Sequence, residues 1–403
     1  MHNPVNRSYP SPRRHIRQRG ETQVKRFLSF ALAAALLGSG VAHAEPLRDN
    51  ELKISAPSAV LLEKATGELL YEKGAHERRA PASVTKVMTL LLIIEDLESG
   101  KIALGDTVTA SARAASFGGS CVYLEEGEQM SVDEMLKCIA VVSANDCAVA
   151  MAEHLCGTEE VFVERMNRRA AELGMNESRF TNCTGLFEDP EHYTTAWDVA
   201  LMSRELISHD LIKNYTTIWM DSIRGGAFGL SNTNKLVFWY PGCTGLKTGY
   251  TAGAMYCLAA TAERDGVEYI AVIMHGDSIE SRNADAKALL NYAFANYTLV
   301  SLPEGEALGE AAVEYGKSAS VPLALGEGGA SLLVGKGGGD CSFSRELKEP
   351  QSAPLHAGDP VGELIVTRGG QEIARRELVA AADVERISFW GILASLAGSL
   401  VGL

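Results

Sequence analysis

Pro81-Ala82-Ser83-Val84-Thr85-Lys86-Val87-Met88-Thr89 places a hydroxyl and an amine three residues apart and runs directly into the apolar stretch Leu90-Leu91-Leu92-Ile93-Ile94. With Glu95-Asp96-Leu97-Glu98 behind it, that stretch is long enough to be a helix ending near Gly100. Ser83 then falls in the first turn, and Lys86 one turn on along the same face. The unpaired N–H groups and partial positive charge of a helix N-terminus stabilise an oxyanion on a carbonyl that Ser83 attacks. The same field disfavours a second positive charge, which makes Lys86 a candidate neutral amine able to take the serine proton. Most Ser-x-x-Lys spacings are only a solvated serine and a surface lysine. Here the spacing occurs once in the chain, and Ser143-Ala144-Asn145 and then Lys247-Thr248-Gly249 follow it in order.

The chain has 403 residues and a net charge of −14. Seven of its 37 basic groups and one of its 51 acidic groups lie in the first 44 residues, so beyond them 30 basic groups face 50 acidic ones, a net −20. That balance argues against nucleic acid as a partner. The length suits a large domain plus a smaller one, with apolar content ample for a packed core. Residues 1–44 read as a signal peptide: a basic region from Arg13 to Arg26, a short apolar run from Phe27 to Leu37, and an Ala42-His43-Ala44 cleavage pattern. Export permits disulfides among the eight cysteines. Their wide spacing in a chain with a large core favours free buried thiols, and no Cys/His cluster points to a metal.

Ala59–Glu63 and Glu68–Glu72, joined by Lys64-Ala65-Thr66-Gly67, read as a hairpin. Ser116-Phe117-Gly118-Gly119-Ser120 is a loop that either borders a site or is merely a turn. Ser131 answered by Glu134 is a capping box that opens a helix. Ser143-Ala144-Asn145-Asp146 interrupts the apolar pattern before a second helix, as a cleft-facing or connecting tripeptide would. Ser281-Arg282-Asn283 repeats the Ser-x-Asn spacing but comes after Lys247-Thr248-Gly249, out of order. His192, alone in a loop, fits a structural hydrogen bonder better than a catalyst. Lys247-Thr248-Gly249 is expected on a strand beside the antiparallel pair formed by Ala252–Ala262 and Tyr269–Met274, where Gly249 admits a close ligand backbone. Residues 45–298 form the main domain on this reading, and 299–383 a small β domain without a catalytic constellation. Residues 384–403 read as an amphipathic helix, with Phe389, Trp390, Leu393, Leu396, Leu400 and Leu403 on one face, lying in a membrane surface, with a marginal spanning helix or a docked core helix as the alternatives.

Together, Pro81–Lys86, Ser143–Asp146, Asn232-Thr233-Asn234-Lys235-Leu236 and Gly245–Thr251 resemble the D-alanyl-D-alanine carboxypeptidases, the low-molecular-mass penicillin-binding proteins. The resemblance implies an α+β fold. Its first part is a DD-peptidase domain of the serine β-lactamase type, an antiparallel sheet flanked by helices. The small β domain and the terminal amphipathic helix follow. It further implies that Ser83 attacks the carbonyl between two D-alanines of a peptidoglycan stem peptide, that Lys86 accepts its proton, and that Ser143 relays a proton to the leaving D-alanine. Asn145 would bind the substrate backbone, Lys247 and Thr248 its terminal carboxylate, and the N–H groups of Ser83 and Tyr250 would form the oxyanion hole beside Gly249. β-Lactam antibiotics would acylate Ser83 and leave slowly, with no metal or cofactor required, at the outer face of the cytoplasmic membrane. Two rivals stand beside this reading. A β-lactamase needs a deacylating glutamate, which Glu172-Leu173-Gly174 offers only at a helix end. A catalytically silent cell-wall binder is disfavoured by the intact set Ser83, Lys86, Ser143 and Lys247.

Overall fold

The computed structural model describes residues 52–187, 189–348 and 351–393. The expected leader, its cleavage pattern and the last ten residues lie outside them. The chain enters through β1 (Ser58–Glu63) and β2 (Leu69–Lys73), the expected hairpin. It later adds β3 (Cys243–Thr251), β4 (Met255–Arg264) and β5 (Val267–Gly276), to give an antiparallel sheet in the order β2-β1-β5-β4-β3. Side chains alternate across a strand. In β1, Val60 and Leu62 therefore enter one apolar core while Ala59 and Leu61 enter another. Burial on both faces accounts for the nearly unbroken apolar runs of β1 and β5.

On the first face lie α1 (Lys86–Glu98), α2 (Val132–Val141), α3 (Asn145–Cys156), α4 (Glu159–Glu172) and α5 (Ala196–Ser208). α1 is the innermost: every residue from Val87 to Ile94 is buried, as expected for a helix apolar all round. Each large side chain there contributes roughly 1.5–3 kcal/mol by burial. The Ser131–Glu134 capping box forms and starts α2, and Thr195 caps α5 through the N–H of Asp198. α6 (Ile279–Asn296) covers the second face with Ala286, Leu289, Leu290 and Ala293.

α6 ends at Asn296, and the next residue opens a strand, β6 (Tyr297–Ser301), paired with Ser331–Gly335. A six-stranded sheet follows, with the hairpin Pro360–Arg368/Gln371–Ala380 at its heart and its own apolar core. Leu333 packs instead into the core beneath α6. Residues 389–393 are helical, with Phe389, Trp390 and Leu393 exposed. Among the described residues no helix is long and apolar enough to cross a membrane, and all eight cysteines are free thiols.

Candidate active site

Ser83 does not sit in the first α-helical turn. A 3₁₀ turn, Ala82–Thr85, carries it, and α1 begins only at Lys86. The tight turn still brings the two side chains together: Lys86 Nζ lies 3.1 Å from Ser83 Oγ. The ammonium position is completed by Asn145 Oδ1 at 2.5 Å and the carbonyl of Thr184 at 2.8 Å. Lys86 is fully buried, and burial pushes its amine down to about 7, against the opposing pull of Cys183, Cys121 and Asp146. Around neutral pH a substantial fraction is therefore the free base.

The turn is shaped by packing. Ala82 adopts a positive φ of 47°. Gly185 lies so close to it that an added Cβ would sit 1.8 Å from the Ala82 carbonyl oxygen. Thr85 Oγ1 lies 2.8 Å from both that same oxygen and His192 Nε2. His192 Nδ1 accepts from the N–H of Thr181 at 3.0 Å, so Nε2 carries the proton and donates to Thr85. His192 is thus a structural strut whose burial lowers its pKa to about 4.

Ser143 occupies the corner between α2 and α3, with a φ of 64°. Its Oγ is buried without a hydrogen-bond partner among the described residues. Asn145 opens α3 and fixes the loop left open by the sequence reading, donating from Nδ2 to Gly118 O (2.8 Å) and from its N–H to Ser120 O (2.7 Å). Asp146 holds the next part of that loop by accepting from the N–H groups of Val122 and Leu124. The 116–120 loop therefore borders the site.

β3 forms the opposite wall. Gly249 passes so near the 3₁₀ turn that a Cβ there would meet Pro81 O at 2.9 Å and Ser83 N at 3.1 Å. Thr248 Oγ1 donates to Thr233 Oγ1 (2.9 Å), and Asn234 Nδ2 grips Gly245 O (2.8 Å). Lys247 is buried, with Nζ 2.9 Å from Thr248 O. Burial, and then the charges of Lys86 and Arg282, hold its pKa well below the usual lysine range. A cavity of about 430 Å³ joins these pieces, with Ser83, Ser143, Thr248, Gly249 and Tyr250 in its wall. Lys86, Asn145 and Lys247 lie behind that wall rather than in it.

The wall also holds residues that the sequence reading did not assign to the site: Ser120, Tyr256, Ile279 and Arg282. Thr233 and Lys235 join them from a segment quoted for resemblance alone. Arg282 belongs to the Ser-x-Asn match set aside as out of order. Ser281 is indeed only the N3 partner of a capping box, but its neighbour brings a largely buried guanidinium to the cavity. Among the described residues Glu172 bonds only Arg169, on the surface, and no described carboxylate lines the cavity. A larger cavity of about 630 Å³ is lined by Lys64, Arg204 and Lys213 among others, and by none of the motif residues.

Residues 43–278 match a family model described as D-alanyl-D-alanine carboxypeptidase, and residues 297–386 one described as penicillin-binding protein 5, C-terminal domain. The chain is 40% identical over 376 residues to D-alanyl-D-alanine carboxypeptidase DacF of Bacillus subtilis (strain 168), covering 91% of this chain and 96% of the relative. It is 31% identical to D-alanyl-D-alanine carboxypeptidase DacC of Escherichia coli (strain K12), covering 85% and 88%. Among solved structures, penicillin binding protein 5 from Haemophilus influenzae superposes with a TM-score of 0.75 at 29% identity, over 83% of this chain and 98% of that one.

Proposed function

Because the chain belongs to the D-alanyl-D-alanine carboxypeptidase family and is a serine-type, penicillin-binding peptidase of the cell wall, we propose that its reaction runs through Ser83 and Lys86. Ser83 Oγ attacks the carbonyl carbon of the penultimate D-alanine in a stem peptide, and its proton passes to Lys86 Nζ. The N–H groups of Ser83 and Tyr250 receive the developing oxyanion. The tetrahedral species collapses, the C–N bond breaks, and the leaving D-alanine amine takes its proton through the Ser143 hydroxyl. Water then attacks the acyl-enzyme with Lys86 again as base, releasing the shortened peptide. Asn145, behind the cavity wall, holds Lys86 and pins the 116–120 loop along which the substrate backbone would lie. Thr248, with Arg282 and the charge of Lys247 behind it, binds the terminal carboxylate, which favours a free C-terminus. Gly249 lets β3 approach the reacting serine.

The observation that carries this reading is the 3.1 Å contact between Ser83 Oγ and a fully buried lysine amine. Intact-mass measurement after penicillin exposure tests it: one adduct per chain on the wild type and none on Ser83→Ala, with D-alanine release from a diacyl-D-Ala-D-Ala peptide lost in parallel. An adduct on Ser83→Ala would assign the nucleophile elsewhere. The penicillin adduct is long-lived on this reading, because no described carboxylate lines the cavity to activate a deacylating water as a β-lactamase would.

The enzyme acts on peptidoglycan outside the cytoplasm. We place it at the outer face of the cytoplasmic membrane, exported by residues 1–44 and held by residues 384–403. The exposed Phe389, Trp390 and Leu393 support the anchor. Residues 45–298 then act as the catalytic module and 299–383 as its β-rich support, although 299 falls inside β6. Deleting residues 385–403 should release active enzyme from membranes, and a truncated protein that still sediments with them would refute the anchor.

A further inference from the structure

Three helices meet away from the cavity. α1 contributes Glu95 and Glu98 from its last turn, α5 contributes Glu205 and, just past its end, His209, and α4 contributes Arg169 and Glu172. Carboxylate oxygens of Glu95 and Glu205 and a ring nitrogen of His209 all lie within 4.8 Å of one another. Small rotamer shifts bring such a set to the 2.0–2.2 Å typical of zinc–nitrogen and zinc–oxygen bonds.

Two independent features single the cluster out. His209 Nδ1 lies 2.6 Å from Glu98 Oε2, while Nε2 is buried with no partner among the described residues. A metal-bound histidine is held in this way, with one ring N–H on a carboxylate and the other nitrogen committed to the ion. The charges are also unbalanced. Arg169 donates from Nε to Glu95 Oε1 (2.7 Å), from Nη2 to Glu205 Oε1 (2.5 Å) and from Nη1 to Glu172 Oε2 (3.4 Å). One guanidinium thus serves three carboxylates while the fourth, Glu98, meets only the imidazole among the described residues, and Glu95 and Glu205 each keep a second oxygen. α1 and α5 also direct their C-terminal ends here, where the partial negative charge of a helix favours a cation.

We propose that Glu95, Glu205 and His209 Nε2 bind one divalent cation of the zinc type, with Glu98 orienting the imidazole. The ion clasps the far end of α1 to α5. Glu95 lies nine residues beyond Lys86, about 14 Å along the helix at 1.5 Å per residue. The site is therefore structural and separate from the reacting serine.

The test titrates Zn²⁺ into chelator-treated full-length enzyme by calorimetry, follows the melting temperature, and uses penicillin adduct formation to verify that each variant is folded. One equivalent should bind and raise the melting temperature. His209→Ala and Glu205→Gln should each lose at least 100-fold in affinity while still forming the adduct, and Glu98→Gln should lose roughly 10- to 100-fold, the usual cost of removing an outer-shell partner. Ca²⁺, which prefers an all-oxygen shell, should not compete. Bound Co²⁺ should show ligand-field bands without a thiolate charge-transfer band, which separates this site from the eight free cysteines. Absence of Zn²⁺ binding at 100 µM, unchanged affinity in His209→Ala and Glu205→Gln, or a thiolate band would each overturn the proposal.

Discussion

At the residue scale, burial gives Lys86 the lowered pKa that the proposed mechanism needs. A lysine amine of pKa about 7 is protonated, and useless as a base, in acid. The penicillin acylation rate should therefore fall about tenfold per unit below pH 7 and level off above it, as stopped-flow acylation across pH 5–9 would record. Lys86→Arg keeps a permanent charge and a similar stem. It should cost 10²–10⁴-fold in acylation and abolish the inflection, and an unshifted profile in that variant would remove Lys86 as the base. His192 makes a prediction about stability instead. Its folded pKa of about 4 lies below the ordinary 6.5, so between those values the unfolded chain binds more protons. The stabilisation is complete above pH 6.5 and is lost as pH falls towards 4, on the order of 3 kcal/mol at 1.36 kcal/mol per pKa unit. Urea unfolding at pH 4–7 should show that slope in the wild type and a flatter one in His192→Gln. The hydroxyl, the amine and the lone structural histidine were legible in the sequence because short-range spacing and residue type suffice for them. The Thr184 carbonyl on Lys86 was not, because a backbone acceptor 98 residues away leaves no mark on residue type. Arg282 escaped for another reason: its sequence neighbours spell a motif that belongs to a helix cap.

The elements were legible wherever one periodicity dominates. The apolar runs of the sheet strands, the buried stretch Val87–Ile94 of α1 and the capping box of α2 follow from local physics. The 3₁₀ turn under Ser83 does not, because its shape comes from a distant loop pressing on it. Gly185, with φ near 70°, lies against the Ala82 carbonyl, and only glycine fits where a Cβ would overlap a backbone atom. Gly185→Ala must displace either the turn or the loop bearing Thr184. It should destabilise the enzyme by about 3 kcal/mol or more and slow acylation of whatever remains folded, measured by thermal melting and by adduct formation at 10 °C. A variant with wild-type melting and acylation would show that the turn is not set by this contact.

Across the whole molecule, the sequence marks a composition change near residue 299 but not how the two regions join. Leu333 belongs by sequence to the β-rich part, yet it is buried with α6 and the central sheet. Leu333→Ala should therefore lower the stability of the catalytic region itself, by roughly 2–5 kcal/mol, and calorimetry should show the main transition moving. If only a separate minor transition moved, the two parts would be energetically independent. The acidic surface belongs to this scale too: at a net −20 beyond residue 44, anionic lipid repels the body of the enzyme, which is why the proposed anchor relies on the apolar terminal segment.

Asn296 and Tyr297 are neighbours in the chain, one the last residue of a helix and the other the first of a strand. With the proposed anchor at residues 384–403 and no slack tether at this joint, the proposed nucleophile Ser83 would ride on a stalk of fixed length instead of sampling a sphere of positions. On that anchoring the stems it reaches would be those presented at one height in the wall mesh, and lengthening the joint with a few glycines would change which layer is trimmed before it changed how fast any single peptide is cut.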